Sequence, residues 1–188
     1  MNGVLITAAA RRLGAQIALW FAKKNYRVHL HFFKSEQSAY EMKEKLESMG
    51  VSVFLHKANL AREEEVVRLM QDCLKEGPLT SLVNNASCFY HDNGYNFSGS
   101  HFDEHMAVNA KAPSLLMKLF SEAATNKDTD YSIINLTDAR LLNLNKDYFT
   151  YTLSKFTLAG LSELGALTYA PVRVNSIAPH VVLPNEQL

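Results

Sequence analysis

The chain has 188 residues, 47% hydrophobic and 20% charged, with 19 Lys+Arg balancing 19 Asp+Glu. That composition excludes large-scale disorder, and a net charge of zero removes any chain-wide argument for nucleic acid or an anionic membrane as partner. No apolar run approaches the roughly 20 residues that span a bilayer, and Val4-Leu5-Ile6 lacks the basic lead of a signal peptide.

Apolar runs and helical stripes then alternate. Val4 to Thr7 reads as a short strand, followed by a helix with Leu13, Ile17, Trp20 and Phe21 on one face. Val28 to Phe32 is a second strand, and Ala39, Met42, Leu46 and Met49 mark the next helix. Val51 to Leu55 is a third strand, before a helix carrying Val66, Met70, Cys73 and Leu74. Leu79 to Val83, Ile133 to Leu136 and Val172 to Ile177 complete six strands, with helical stretches near 101–124 and 149–169. This rhythm predicts a doubly wound α/β fold, a parallel sheet covered on both faces, as one domain over 1–188. Cys73 and Cys88 have no metal-type spacing, and a reduced, cytoplasmic setting is expected.

Two places in the first half carry chemistry. Thr7-Ala8-Ala9-Ala10-Arg11-Arg12-Leu13-Gly14 joins a strand to a helix N-terminus through small residues, a phosphate cradle in form although Gly14 is its single glycine. In the second strand Arg27, His29 and His31 alternate with apolar residues. One face is therefore partly polar, either near a ligand or at a sheet margin, with a half-exposed strand and solvated histidines as the alternative for His29. That strand ends His31-Phe32-Phe33-Lys34-Ser35, without the carboxylate that would accept ribose hydroxyls of NAD. Arg12, Lys34 and Ser35 suit a 2′-phosphate instead, with Ser35 also placed to cap the next helix.

Further along, Leu82-Val83-Asn84-Asn85-Ala86-Ser87, Val108-Asn109, Ile134-Asn135-Leu136-Thr137-Asp138 and Tyr151-Thr152-Leu153-Ser154-Lys155 follow in order. Together they resemble the short-chain dehydrogenase/reductase superfamily over Met1 to about His180. The chain looks most like the pteridine reductases and the bacterial dihydropteridine (dihydromonapterin-type) reductases. It shares their Thr-x-x-x-x-Arg-x-Gly turn, a His-aromatic-x-basic-Ser clamp, the run Asn85 to Tyr90, and Asp138 thirteen residues before Tyr151, where most relatives place serine. The resemblance implies strand order 3-2-1-4-5-6, NADPH as cofactor, a pterin or folate-like substrate and a homotetramer. It further implies that Arg12, Leu13, His31, Lys34, Ser35, Asn59, Leu60, Asn85, Ala86, Ser87, Tyr151, Lys155 and Pro179 face the cofactor. Ser87, Phe89, Asp138 and Tyr151 would face the substrate, with Phe89 stacked on the pterin. Asp138, Tyr151, Lys155 and Asn109 would form the catalytic set.

The residue types fit that chemistry. Tyr151 and Lys155 lie one helical turn apart, and the ammonium is expected to draw the phenol below its ordinary value of about 10. Asp138 suits a ring nitrogen or a guanidine-like edge better than a ketone. Pro113 has no N–H, so the carbonyl of Asn109 loses its helical partner and is free for water, or the helix merely kinks. His101 and His105, four apart, are read as structural rather than as metal ligands, with Ser100 and Asp103 as a capping box, and no metal is expected. Ala8 replaces a glycine of the family pattern at a position where positive φ would strain it, and His180 replaces another. The chain ends at Leu188, before the substrate-loop helices and seventh strand of the family. The expectation is therefore a fragment, or a protein lacking part of its lid and subunit interface. Two other readings stay open: a carbonyl reductase acting on a ketone or acyl-thioester, and a catalytically weak binding or structural member.

Overall fold

The apolar runs at the centre of the chain are closed to water along most of their length, a condition met by a parallel sheet with helices on both faces. In the computed structural model, which describes residues 2–180, six strands form: β1 (Gly3–Ile6), β2 (Arg27–Phe32), β3 (Val53–Lys57), β4 (Ser81–Asn84), β5 (Ser132–Leu136) and β6 (Arg173–Ile177). All pair in parallel in the order β3-β2-β1-β4-β5-β6. Helices α1 (Arg12–Lys23), α2 (Glu36–Glu47), α3 (Glu63–Lys75), α4 (Gly99–Met106), α5 (Ala112–Ala123) and α6 (Phe149–Thr168) connect them. One core lies beneath α1 and α2 around Val4, Ile6, Val28, Leu30 and Leu46; the other lies beneath α3 and α5 around Leu5, Leu82, Leu116, Phe120 and Ile133. The strand order reverses between β1 and β4, and in such sheets ligands bind in the crevice at the carboxyl ends beside that reversal. Among the described residues, no helix is long and apolar enough to cross a membrane.

The structure corrects several local expectations. Trp20 is 55% exposed rather than part of the buried face of α1. Gly14, Ala15, Ala18, Phe21 and Ala22 take that face, because small side chains let the helix lie close on the sheet. Met49 falls beyond the end of α2 and is exposed as well. β3 begins at Val53 and runs to Lys57, two residues later than its apolar run suggests.

β2 lies inside the sheet, so His29 and His31 are buried, not solvated. Burial, reinforced by the neighbouring His56 and Arg27 charges, lowers His29 to about 3. Burial lowers His31 to about 4 against the opposing effect of its bond to the Ala58 carbonyl. Both rings are neutral at physiological pH. Finally, Ser98 rather than Ser100 caps α4, its hydroxyl accepting the His101 N–H at 3.2 Å.

Candidate active site

The turn between β1 and α1 is held from three sides. Thr7 Oγ1 accepts the backbone N–H groups of Asn85 and Ala86, each at 2.9 Å. The Asn85 side-chain amide donates to the carbonyls of Thr7 (2.9 Å) and Ala8 (3.2 Å). His31 Nδ1 accepts the Ala8 N–H at 3.0 Å, which leaves Nε2 to donate to the Ala58 carbonyl at 3.0 Å. His31 thus reaches a ligand only through the turn it braces. Ala8 has φ +53, so the position expected to strain a non-glycine residue does adopt the left-handed region, and Arg12, at φ +51, adopts it as well. A Cβ on Gly14 would overlap the Ala8 carbonyl oxygen and come within 2.7 Å of Asn85 Nδ2. Among the described residues, the N–H groups of Ala10 to Leu13 have no partner within the chain.

That cradle, glycine-tight with free amides at a helix N-terminus, fits a dinucleotide pyrophosphate. Beside it, Arg12 and Lys34 are exposed and Ser35 is half-buried. Ser35 occupies the cap position of α2, but its hydroxyl makes no cap bond. The nearby carboxylate of Glu36 is tied to Lys57 at 2.7 Å. Leu13 is half-buried on α1, whereas Leu60 is turned into the core and Asn59 caps the turn before α3, accepting the Ala61 N–H at 3.0 Å. Pro179 holds the end of β5, its carbonyl accepting the Ala139 N–H at 3.0 Å.

The second half of the crevice is built from side chains. Tyr151 donates its hydroxyl hydrogen to Asp138 Oδ2 at 2.6 Å, while Asp138 Oδ1 accepts the Arg140 N–H at 2.7 Å. Lys155, buried, donates to the Leu136 carbonyl at 2.7 Å and lies 5.7 Å from the Tyr151 ring centre. The expected lowering of Tyr151 is reversed: burial first, then the bond to Asp138 and its charge, push the phenol up, against smaller effects of Arg140 and Ser87. A carboxylate in direct contact stabilises the neutral hydroxyl that donates to it. Lys155 is lowered to about 8 by burial, with Asp138 and Cys88 opposing.

Asn109 is fully buried and brackets the backbone of Cys88. It accepts the Cys88 N–H at 2.9 Å and donates to the Cys88 carbonyl at 3.1 Å and to Ser154 Oγ at 3.0 Å. Its helix does not simply kink. Ala107–Lys111 forms a π-turn between α4 and α5, the wider turn that results where Pro113 supplies no N–H. Asn109 therefore sits beside Ser154, the residue before Lys155.

Three residues missed from the sequence complete the site, Asp92, Arg140 and Tyr148, while Thr7, read there only as the start of the turn, proves to be its anchor. Asp92, buried, accepts the N–H and hydroxyl of Thr150 at the start of α6, and Thr150 in turn bonds His105 Nδ1 at 2.8 Å. The other His105 nitrogen accepts the Tyr90 N–H at 3.2 Å, which agrees with a structural rather than metal-binding role. Tyr148, at φ +59, stacks face to face on Phe89 at 4.2 Å, and the Arg140 guanidinium lies over its ring at 4.7 Å. Phe89 is half exposed and meets Tyr151 edge-on at 4.7 Å. Phe89 thus spends one face on Tyr148, and its half-exposed remainder is the aromatic surface left for a planar ring.

The short chain dehydrogenase family model matches residues 2–187. Pteridine reductase 1 of Leishmania tarentolae is 30% identical over 223 residues, covering 97% of this chain and 77% of that protein. The 3-oxoacyl-[acyl-carrier-protein] reductase FabG of Staphylococcus epidermidis is 26% identical over 186 residues, covering 97% and 75%. Among solved structures, FolM alternative dihydrofolate reductase 1 of Brucella suis, in complex with NADP, superposes with a TM-score of 0.92 at 32% identity, covering 97% of this chain and 76% of that one.

Proposed function

We infer the reaction from one premise: the chain belongs to the short-chain dehydrogenase family. It is a short-chain reductase, and we read its cofactor as NADPH and its substrate as a dihydropterin or a dihydrofolate-like pteridine, reduced at a C=N bond. The observation that carries this reading is the Asp138 carboxylate, 2.6 Å from the Tyr151 hydroxyl. The likeness to pteridine reductase 1 and to the Brucella alternative dihydrofolate reductase supports it.

When bound, NADPH supplies the hydride. The turn from Thr7 to Gly14 would hold its pyrophosphate, and Arg12, Lys34 and Ser35 would receive the 2′-phosphate. Lys155 would serve the ribose side of the site as a cation. Phe89 and Tyr148 orient the flat substrate. Asp138 accepts a hydrogen bond from the pterin edge, directly or through water, and Tyr151, kept protonated by Asp138, donates the proton to the ring nitrogen. Asn109 links Cys88 to α6 and so fixes the register of Tyr151 and Lys155.

Carbonyl reduction is the second reading, favoured by the FabG likeness, since Tyr151, Lys155 and Asn109 serve either chemistry. A panel following NADPH oxidation with dihydropterin, dihydrofolate, a ketone and an acyl-thioester separates them. Reduction of a pteridine is expected, and Asp138→Ser should abolish most of it. Unaltered pteridine turnover in that variant, or turnover of the carbonyls alone, overturns the assignment. Assembly as a homotetramer is part of the same proposal. Phe149, Leu153, Phe156, Leu164 and Leu167 leave α6 between 37% and 82% exposed, an apolar face that a second copy would cover, as light scattering would test.

A further inference from the structure

We propose that His29, His56 and Cys73 form a site for one thiophilic divalent metal ion, zinc by its chemistry, beneath α3 and outside the reductase crevice. The three side chains come from β2, β3 and α3, and their ligand atoms all lie within 4.8 Å of one another. His29 Nδ1 is 3.0 Å from His56 Nε2, and Cys73 Sγ is 3.6 Å from that same nitrogen. Zinc bonds of about 2.0 Å to nitrogen and 2.3 Å to sulfur, at tetrahedral angles, require edges of about 3.3 Å and 3.5 Å. Two edges of the tetrahedron are therefore within a few tenths of an ångström of their final length, and the third, between His29 and Cys73, lies within 4.8 Å and shortens to about 3.5 Å as the ion binds.

The donors are preorganised. His29 is fully buried, with the Phe54 and His56 ring centres each 5.2 Å from its own and its Nδ1 edge turned to His56. Cys73 is also fully buried, while His56 is only partly covered, which leaves an approach for the ion and for a water as fourth ligand. Two imidazoles and a thiolate select zinc over magnesium or calcium. Asp72, adjacent to Cys73, adds a carboxylate near His56, although it is shared with Lys75 at 2.7 Å.

One contact opposes the ion. Arg27 Nε donates to His29 Nε2 at 3.2 Å, so without metal the His29 proton sits on Nδ1 and points at His56. Metal on Nδ1 moves that proton to Nε2, and Cys73 loses its thiol proton to solvent. Arg27 then releases His29 and keeps its bond to the Pro78 carbonyl at 2.8 Å. Binding thus forms three metal–ligand bonds, releases one proton and gives up three contacts: Arg27 to His29, His29 to His56, and Cys73 to His56.

The test is cobalt(II) titration of the full chain, untagged and chelator-treated. One equivalent should bind with a tetrahedral visible spectrum and a thiolate-to-cobalt charge-transfer band, both removed by zinc. Cys73→Ser should abolish the band while circular dichroism shows the fold retained. Because Cys73 is buried, the more exposed His56→Gln gives a second arm, with affinity falling by more than about 100-fold, beyond what the loss of an outer partner does. Arg27→Met should bind more tightly than the unmodified chain. Substoichiometric binding, an octahedral spectrum without the band, or a band that survives Cys73→Ser overturns the site.

Discussion

The two halves of the crevice are built differently. On the cofactor side, Thr7, Asn85 and His31 lock a stretch of backbone, and the groups left to bind are N–H groups of Ala10 to Leu13. On the proposed substrate side the surface is made of side chains from three separate segments: Phe89, Asp138 with Arg140, and Tyr148 with Tyr151 and Lys155 at the start of α6. A backbone cradle reads only the shape and charge of a phosphate, and any side chain inside it is an obstruction. A side-chain surface discriminates among rings, and each of its residues is exchangeable. One half should therefore be sensitive to volume and conformation, the other to chemical identity.

The largest test of that contrast is Tyr151→Phe. Loss of a positioned acid costs about 10²–10⁴ in kcat, whereas NADPH affinity, set by the other half, should be nearly unchanged in fluorescence titration. Next comes Lys34→Asp. A charge-assisted bond to phosphate is worth about 1.5–3 kcal/mol, so the preference for NADPH over NADH should fall roughly 10- to 100-fold in paired kcat/KM measurements. Equal use of both cofactors by the unmodified chain would break the assignment of that residue.

Smaller effects follow from titration and backbone strain. Because Tyr151 is pushed up and Lys155 is lowered to about 8, the alkaline limb of activity belongs to the lysine. Activity should fall as pH rises through about 8, where the ammonium is lost, and Lys155→Arg should carry its residual rate beyond about pH 9, since a guanidinium stays charged. A limb that is unchanged in the Arg variant would assign it elsewhere. Smallest is Ala8→Gly. Relieving an alanine at φ +53 should gain about 1 kcal/mol of stability, read as a higher midpoint in urea, with little effect on substrate choice.

The sequence carries the fold where burial has a strong period. The strands buried on both faces and the Tyr151–Lys155 pair are legible, because apolar runs and a four-residue spacing are local signals. It does not carry Trp20, since a hydrophobic stripe drawn through Leu13 and Ile17 ignores how closely alanines let a helix approach the sheet. Nor does it carry the neutral state of Tyr151, because Asp138 and Lys155 are both in reach and only the 2.6 Å contact decides which charge prevails. Tyr148 and Arg140 have no spacing signal, as neither belongs to a repeating face. His29, His56 and Cys73 meet across 27 and 17 positions, without the closely spaced ligand pair that makes a metal motif legible in sequence.

The π-turn at Ala107–Lys111 has a consequence for how this chain tolerates change in length. Each helical residue turns the axis by about 100°, so one residue more or fewer ahead of Pro113 rotates everything beyond it by that angle. The wide turn holds an additional residue within a single revolution, and this lets His105 and Asn109 upstream face the same interior as Leu116, Met117 and Phe120 downstream. Deleting Ala110 should let the turn close as a regular helix with both faces still in phase, whereas the same deletion outside 107–111 would swing one of those groups outward. The segment from 105 to 120 therefore behaves as a gear with one spare tooth, in which a one-residue deletion is tolerated at the wide turn and not beside it.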